Sequence, residues 1–264
     1  MIPINSIDDP RIAPYRNLKD RELAREGGLF IAEGELVVRR LLRSDYPVES
    51  VLLGERRVNE IAPVLPTGIP VYLVPDSMVH QIIGYRFHSG MIAVGRRKPT
   101  LTLDQLMSAP RERLTMVILP ETATAQNLGA LIRIAAAFGC DALVLGERSC
   151  DPFWRQAIRV SMGTIFSLPL VRSQNLLEDM ARLRQAWGVE LAATVLDEDA
   201  ETLARAPRGP RLGILFGNEA QGLSPEYVRA CDRRITIPMR TGIDSLNVAI
   251  AAGIFLHHFT RQHP

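Results

Sequence analysis

Leu114-Thr-Met-Val-Ile-Leu-Pro120 is an apolar, β-rich run that stops at proline, and Asn127-Leu-Gly-Ala-Leu-Ile-Arg133 then opens a helical pattern that continues to Phe138 and halts at Gly139. A strand that passes into a helix is the repeating unit of α/β folds. The same change of period recurs downstream. Residues 142–145, 165–171, 191–196, 212–216 and 234–237 read as strands, and 153–162, 176–187 and 248–260 as helices. Gly188 supplies the stop for the second of these helices. The alternation predicts a mostly parallel sheet with helices on both faces.

Upstream of Leu114 the pattern predicts a smaller α/β unit. It has a charged helical stretch at 21–25, a glycine-bounded strand in Gly28-Leu-Phe-Ile-Ala-Glu-Gly34, and a helix at 35–42. Strands at 48–53, 71–74 and 91–94 follow, with a helix starting near Asp76-Ser77, both good N-caps. Residues 99–112 turn polar around Pro99 and Pro110 and carry one short helix at 103–107, as a linker would. The chain therefore divides into 1–98, a linker at 99–112, and 113–264.

Bulk composition narrows the class. The 264 residues are 47% hydrophobic and 23% charged, the balance of a soluble globular protein. Net charge is only +2, so the total carries no strong polyanion signal. The basic residues are clustered, however: Arg11, Arg16, Lys19, Arg21 and Arg25; Arg39, Arg40 and Arg43; Arg56 and Arg57; Arg96, Arg97 and Lys98. Such clusters read either as a phosphate-binding face or as solvated surface. Cys140, Cys150 and Cys231 have no metal-ligand spacing, and an odd count without a secretory leader suits a reducing cytoplasm. No apolar run approaches the ~18 residues that would span a bilayer. Histidines 80, 88, 257, 258 and 263 form no metal set. Trp154 and Trp187 read as core or interface residues, and Arg155 and Arg159, one turn apart, as either RNA contacts or surface ion-pair partners.

Three patches carry the chemistry. The first is Asn127 to Arg133, where Gly129 permits close backbone approach and Arg133 suits bidentate phosphate contact. Its six-residue spacing from Asn127 could frame one pocket, though not on one strict stripe. The second is Leu215-Phe-Gly-Asn-Glu-Ala-Gln-Gly-Leu-Ser224, a strand running into a loop with two glycines five apart and Glu219 as its acid. It is neither a Walker loop nor Gly-x-Gly-x-x-Gly. The third is Ile237-Pro-Met239, followed by Asp244-Ser-Leu-Asn-Val-Ala249 at the start of an alanine-rich helix. Each patch alone also reads as ordinary capping or turn chemistry.

In this order the patches resemble the motifs of the SpoU (TrmH) family of the SPOUT superfamily of RNA methyltransferases. Arg159-Val-Ser-Met-Gly163 matches the accompanying Arg-x-Ser-x-Gly segment, and the resemblance covers about residues 113–264. Gly28 to Gly34 and His88-Ser-Gly-Met-Ile-Ala93 more loosely resemble the ribosomal-protein-like substrate-binding domain that often precedes this catalytic domain. One departure stands out: Thr124-Ala-Gln-Asn127 replaces the usual Asp-Pro-x-Asn.

The resemblance implies a deep trefoil knot, a rare exception to ordinary threading, and a homodimer. It implies S-adenosyl-L-methionine as cofactor, held near Leu215, Gly217, Ile237, Met239 and Leu246, with no metal. It implies methyl transfer to a ribose 2′-hydroxyl in rRNA or tRNA. Arg133 would then be the activating residue, and since a guanidinium stays protonated, a clamp on phosphate and on developing alkoxide charge suits it better than a base. Asn127 would orient it, and Glu219 and Asn247 would hold the pocket. Two other readings remain: a noncatalytic RNA-binding assembly factor that keeps the fold, and a dinucleotide-binding oxidoreductase, which the missing Gly-x-Gly-x-x-Gly after the 114–120 strand disfavours.

Overall fold

The structure, a computed structural model, describes residues 1–16, 23, 28–65, 67–83, 90–109, 111–240 and 245–261. Most of the helical stretch expected at 21–25, together with Lys19, Pro110, His88, His263, Asp244 and the side chain of His80, lies outside the described residues. The chain forms two compact units: residues 1–99 with 151–167, and residues 100–150 with 168–264.

The first unit holds β1 (Ile2–Pro3), β2 (Leu29–Glu33), α1 (Glu35–Leu42), β3 (Val48–Gly54), β4 (Val71–Val74), α2 (Asp76–Ile83) and β5 (Met91–Arg96). The sheet order is β1-β4-β3-β5-β2. β1, β4 and β3 run parallel, and β5 is antiparallel to both of its neighbours. Gly34, at φ 97°, turns the chain from β2 into α1, whose Val37, Val38 and Leu41 are buried.

Residues 151–167 complete this unit. Phe153 and Phe166 join Phe30 and Tyr46 in one aromatic cluster, with ring centroids 5.2–6.0 Å apart. Arg97 pairs with Asp151 at 2.8 Å, and Arg40 donates to the Met162 carbonyl at 2.6 Å. The helix expected at 153–162 spans Arg155–Val160. The strand expected at 165–171 is instead a 3-10 turn, Thr164–Phe166, followed by the short strand β8 (Leu170–Arg172) of the second unit. Met162 and Gly163 both have positive φ, which ends the helix, and Pro169 lacks the N–H that a longer strand would need.

The second unit begins with α3 (Leu103–Met107), inside the stretch that reads as a linker. Thr102 caps it in a capping box with Gln105, and Leu103, Leu106 and Met107 enter the core. Then come β6 (Leu114–Leu119), α4 (Ala125–Ala137), β7 (Ala142–Leu145), β8, α5 (Leu176–Trp187), β9 (Glu190–Thr194), β10 (Glu201–Thr202), β11 (Arg211–Leu215), α6 (Pro225–Ala230), β12 (Arg233–Thr236) and α7 (Val248–Arg261). The order is β10-β12-β9-β11-β6-β7-β8, and every pairing is parallel. All six residues of β6 are buried, as expected for a central strand of a sheet covered on both faces. Leu176, Met180 and Leu183 of α5 pack with the α3 side chains and Met116, Ile118 and Val144. Elsewhere α4 packs against α7, and Phe255 meets Phe216 edge-on at 5.8 Å.

β6 lies between β7 and β11. The chain leaves β6 toward β7 and leaves β11 toward β12, on the opposite side. The crevice between the carboxyl ends of β6 and β11 is therefore a topological switch point, where open α/β sheets bind ligands. Among the described residues no helix is long and apolar enough to cross a membrane.

Candidate active site

The loop after β11 folds back on itself as a tight hairpin. Asn218 N–H donates to the Gly222 carbonyl at 3.0 Å and Gly222 N–H returns to the Asn218 carbonyl at 2.8 Å. Ala220 N–H donates to Asn218 Oδ1 at 2.8 Å and fixes the tip. Gly222 sits at φ 69°, and a Cβ on Gly217 would fall onto the backbone of Gly222 and Leu223. The two glycines thus have different duties: Gly222 turns the chain, and Gly217 lets it close.

Beside this hairpin lies a cavity of about 400 Å³ at the carboxyl ends of β9, β11 and β12. Gly217, Glu219, Ile237, Met239 and Leu246 all line it. Leu215 does not. Its side chain is fully buried in the core cluster, and its carbonyl accepts from Thr194 Oγ1 at 2.8 Å. Side chains alternate along a strand, so Phe216 faces the cavity while Leu215 faces the core. Sequence reasoning also missed Thr194, Val195 and Leu196, and Val248, Ala251 and Phe255 of α7. The available signal for the first three was their position at the carboxyl end of a strand.

The rim of the cavity carries a polar chain. Asn127 Nδ2 donates to Glu219 Oε1 at 2.6 Å, and Asn247 Nδ2 donates to Asn127 Oδ1 at 3.2 Å. Thr124 Oγ1 lies 3.5 Å from the same Glu219 oxygen and accepts from Asn127 N–H at 3.2 Å. Asn247 Oδ1 accepts from Ala249 N–H at 2.9 Å at the start of α7. Thr124 is therefore the N-cap of α4, which starts at Ala125, two residues before Asn127. The Thr-for-Asp departure in the first motif leaves a working cap.

Arg133 stands apart from this chain. It is exposed on α4 and has no hydrogen bond or ion pair among the described residues. Six residues of helix turn it by about 120° from Asn127 and advance it by about 9 Å. Asn127, Glu219 and Asn247 are brought together; Arg133 is not.

Among the described residues, most cations of the first unit's basic clusters sit in ion pairs. Arg39 and Arg57 both pair with Glu35, Arg56 with Asp76 at 2.7 Å, Arg96 with Glu49 at 2.6 Å, and Lys98 with Asp45. Arg11 and Arg16 pair with Asp9 and Asp8. Among the described residues no three His, Cys, Asp or Glu side chains gather to hold a metal ion. Burial pushes the Cys140 and Cys231 thiols up to about 12, the neighbouring Asp141 and Asp232 carboxylates adding to the shift, so both stay protonated at neutral pH.

A parallel α/β sheet with an apolar cavity at its strand ends and a polar chain at the rim has the form of a small-molecule site. Residues 115–257 match the SpoU rRNA Methylase family, and the chain belongs to that family. An uncharacterised tRNA/rRNA methyltransferase of Mycobacterium bovis is 34% identical over 263 residues, covering 97% of this chain and 90% of its own length. A 23S rRNA (guanosine-2′-O-)-methyltransferase of Acinetobacter baylyi is 31% identical over 200 residues, covering 75% of this chain and 80% of its own. The AdoMet-bound rRNA methyltransferase of Sinorhizobium meliloti has a similar structure, with a TM-score of 0.83 and 28% identity, covering 98% of this chain and 97% of that one.

Proposed function

We propose that this protein transfers a methyl group from S-adenosyl-L-methionine to a ribose 2′-hydroxyl of rRNA or tRNA. The observation that carries the reading is the Asn127–Glu219–Asn247 chain at the rim of the cavity. The residues fit the cofactor. The cavity has the volume of a small-molecule site, Leu196, Phe216, Met239 and Leu246 offer apolar walls, and Gly217 exposes bare backbone. The bound cofactor supplies a sulfonium-activated methyl group. Held by these residues, it would give that methyl to the ribose oxygen and leave as a neutral thioether, and the hydroxyl proton would pass to water.

Glu219 fixes the Asn127 amide, and Asn127 fixes the Asn247 amide, so the rim is ordered before RNA arrives. Arg133, exposed and without a partner among the described residues, is free to clamp an RNA phosphate and to stabilise charge on the attacking oxygen. RNA recognition falls to residues 1–98, methyl transfer to 113–264, and 99–112 join them.

The reading includes the family's trefoil knot and a homodimer in the cytoplasm. An unpartnered apolar face on α7 supports the dimer: Ile250 is 58% exposed and Ile254, one turn on, is exposed as well. Wild-type protein, given tritiated S-adenosylmethionine and total RNA, should label 2′-O-methyl nucleosides. Arg133→Ala should abolish the label while leaving the dimer intact by gel filtration. Normal turnover by that variant would sink the assignment of Arg133.

A further inference from the structure

We propose that a second cavity, of about 290 Å³, seats the base of the nucleotide to be methylated, and that it is shaped for guanine. The proposal rests on the RNA-methyltransferase reading above. The Gly217–Leu223 hairpin is the wall common to both cavities. The second one is closed by Pro120 and Glu121 after β6, by Arg148 after β7, and by Pro225 and Tyr227 of α6. It therefore opens at the switch point between β6 and β11, the place where such a sheet takes a ligand. Its distance from the polar chain is short along the backbone. Glu121 is three residues from Thr124, and Thr124 touches Glu219, the tip residue of the shared hairpin.

The polar groups in this cavity are loosely engaged. Arg148 lies beside the Tyr227 hydroxyl and between two carboxylates, 3.4 Å from Glu121 and 3.9 Å from Glu226, and its side chain is 56% exposed. A settled charge-assisted bond is nearer ~2.7–2.9 Å. Asn218 Nδ2 is 3.4 Å from the other Glu121 oxygen. A cation and a carboxylate side by side match guanine best, across two adjoining edges. Guanine sets the O6 and N7 acceptors, which arginine reads, beside N1–H and N2–H donors, which a carboxylate accepts. Adenine puts a donor where the arginine needs an acceptor. Uracil sets O4 beside N3–H but has the acceptor O2 where guanine has the N2–H donor, and is the nearest competitor. Pro120, Pro225 and Tyr227 provide flat apolar surface for the ring.

The test uses the full chain saturated with S-adenosylhomocysteine, so that the first cavity is filled. Saturation-transfer NMR with GMP, AMP, CMP and UMP should give the strongest signal for GMP. Arg148→Ala and Glu121→Gln should each reduce that preference about tenfold, the range of one bidentate base contact, while the melting shift from S-adenosylhomocysteine is unchanged. Equal signals from all four nucleotides, or a preference that survives both substitutions, would overturn the proposal. Labelling of total RNA separates this proposal from the reading beneath it. Tritium recovered in 2′-O-methylguanosine supports the guanine seat, and tritium in another ribose-methylated nucleoside overturns it while leaving the methyltransferase standing. No label with the GMP preference intact overturns the methyltransferase reading alone.

Discussion

A side-chain amide can donate and accept at once, and Asn127 uses both ends: it donates to Glu219 and accepts from Asn247. Three elements, α4, the hairpin and the start of α7, are thereby tied through one residue. A hydrogen bond to a carboxylate is worth about 1.5–3 kcal/mol, enough to keep the rim in one arrangement. Cys140 shows the opposite economy, a titratable group kept neutral by burial. Its folded value of about 12 lies above the ordinary thiol value, so the unfolded chain loses its proton first as pH rises. The thiol costs nothing below about pH 8.5, the unfolded value, and removes stability between there and pH 12. The slope is about 1.4 kcal/mol per pH unit at most. Urea unfolding at pH 8 and pH 10 should show a smaller loss for Cys140→Ala than for wild type, and equal losses would refute this source.

Among the elements, the Gly217–Leu223 hairpin is the one on which both cavities depend. Gly217→Ala must push apart backbone atoms, not a flexible side-chain end. It should weaken S-adenosylmethionine binding at least about tenfold by calorimetry, with β11 and the far-UV spectrum retained. Native affinity would show that the hairpin tolerates a wider mouth. How such elements read in sequence varies with their signals. α5 was legible to the residue from its apolar spacing and its stop at Gly188, which sits at φ 59°, and the structure adds the Asn175 cap. Most strands were legible as apolar runs, though the run at 165–171 held a 3-10 turn and the two residues of β1 gave no run at all. β10 and α6 were not: two residues in one case and six in the other leave too little periodicity. In the site, motif order led to Gly217, Ile237, Met239 and Leu246, which line the cavity, and to Leu215, whose side chain strand alternation turns into the core. Thr194 to Leu196 carry no special chemistry and became visible only through the sheet order.

For the whole molecule, the division into units matters more than the division along the chain. Residues 151–167 belong with 1–99, held by the aromatic cluster, the Arg97–Asp151 pair and Arg155, 3.5 Å from the buried Glu33. A chain that begins at residue 100 would leave Phe153 and Phe166 without Phe30 and Tyr46. Limited trypsin digestion of that truncation should cut first after Arg155 and Arg159, sites protected in the full chain. Equal protection in both would mean that 151–167 holds its form unaided. The interleaving also has a consequence for synthesis. A chain emerging from the ribosome cannot finish its first unit when residue 99 appears. At ~5–20 residues per second, the missing segment arrives ~3–14 s later, after β6, α4 and β7 have been made. During that interval the nascent chain carries an open aromatic face, and the order of translation, rather than the order of domains, sets when the first unit is complete.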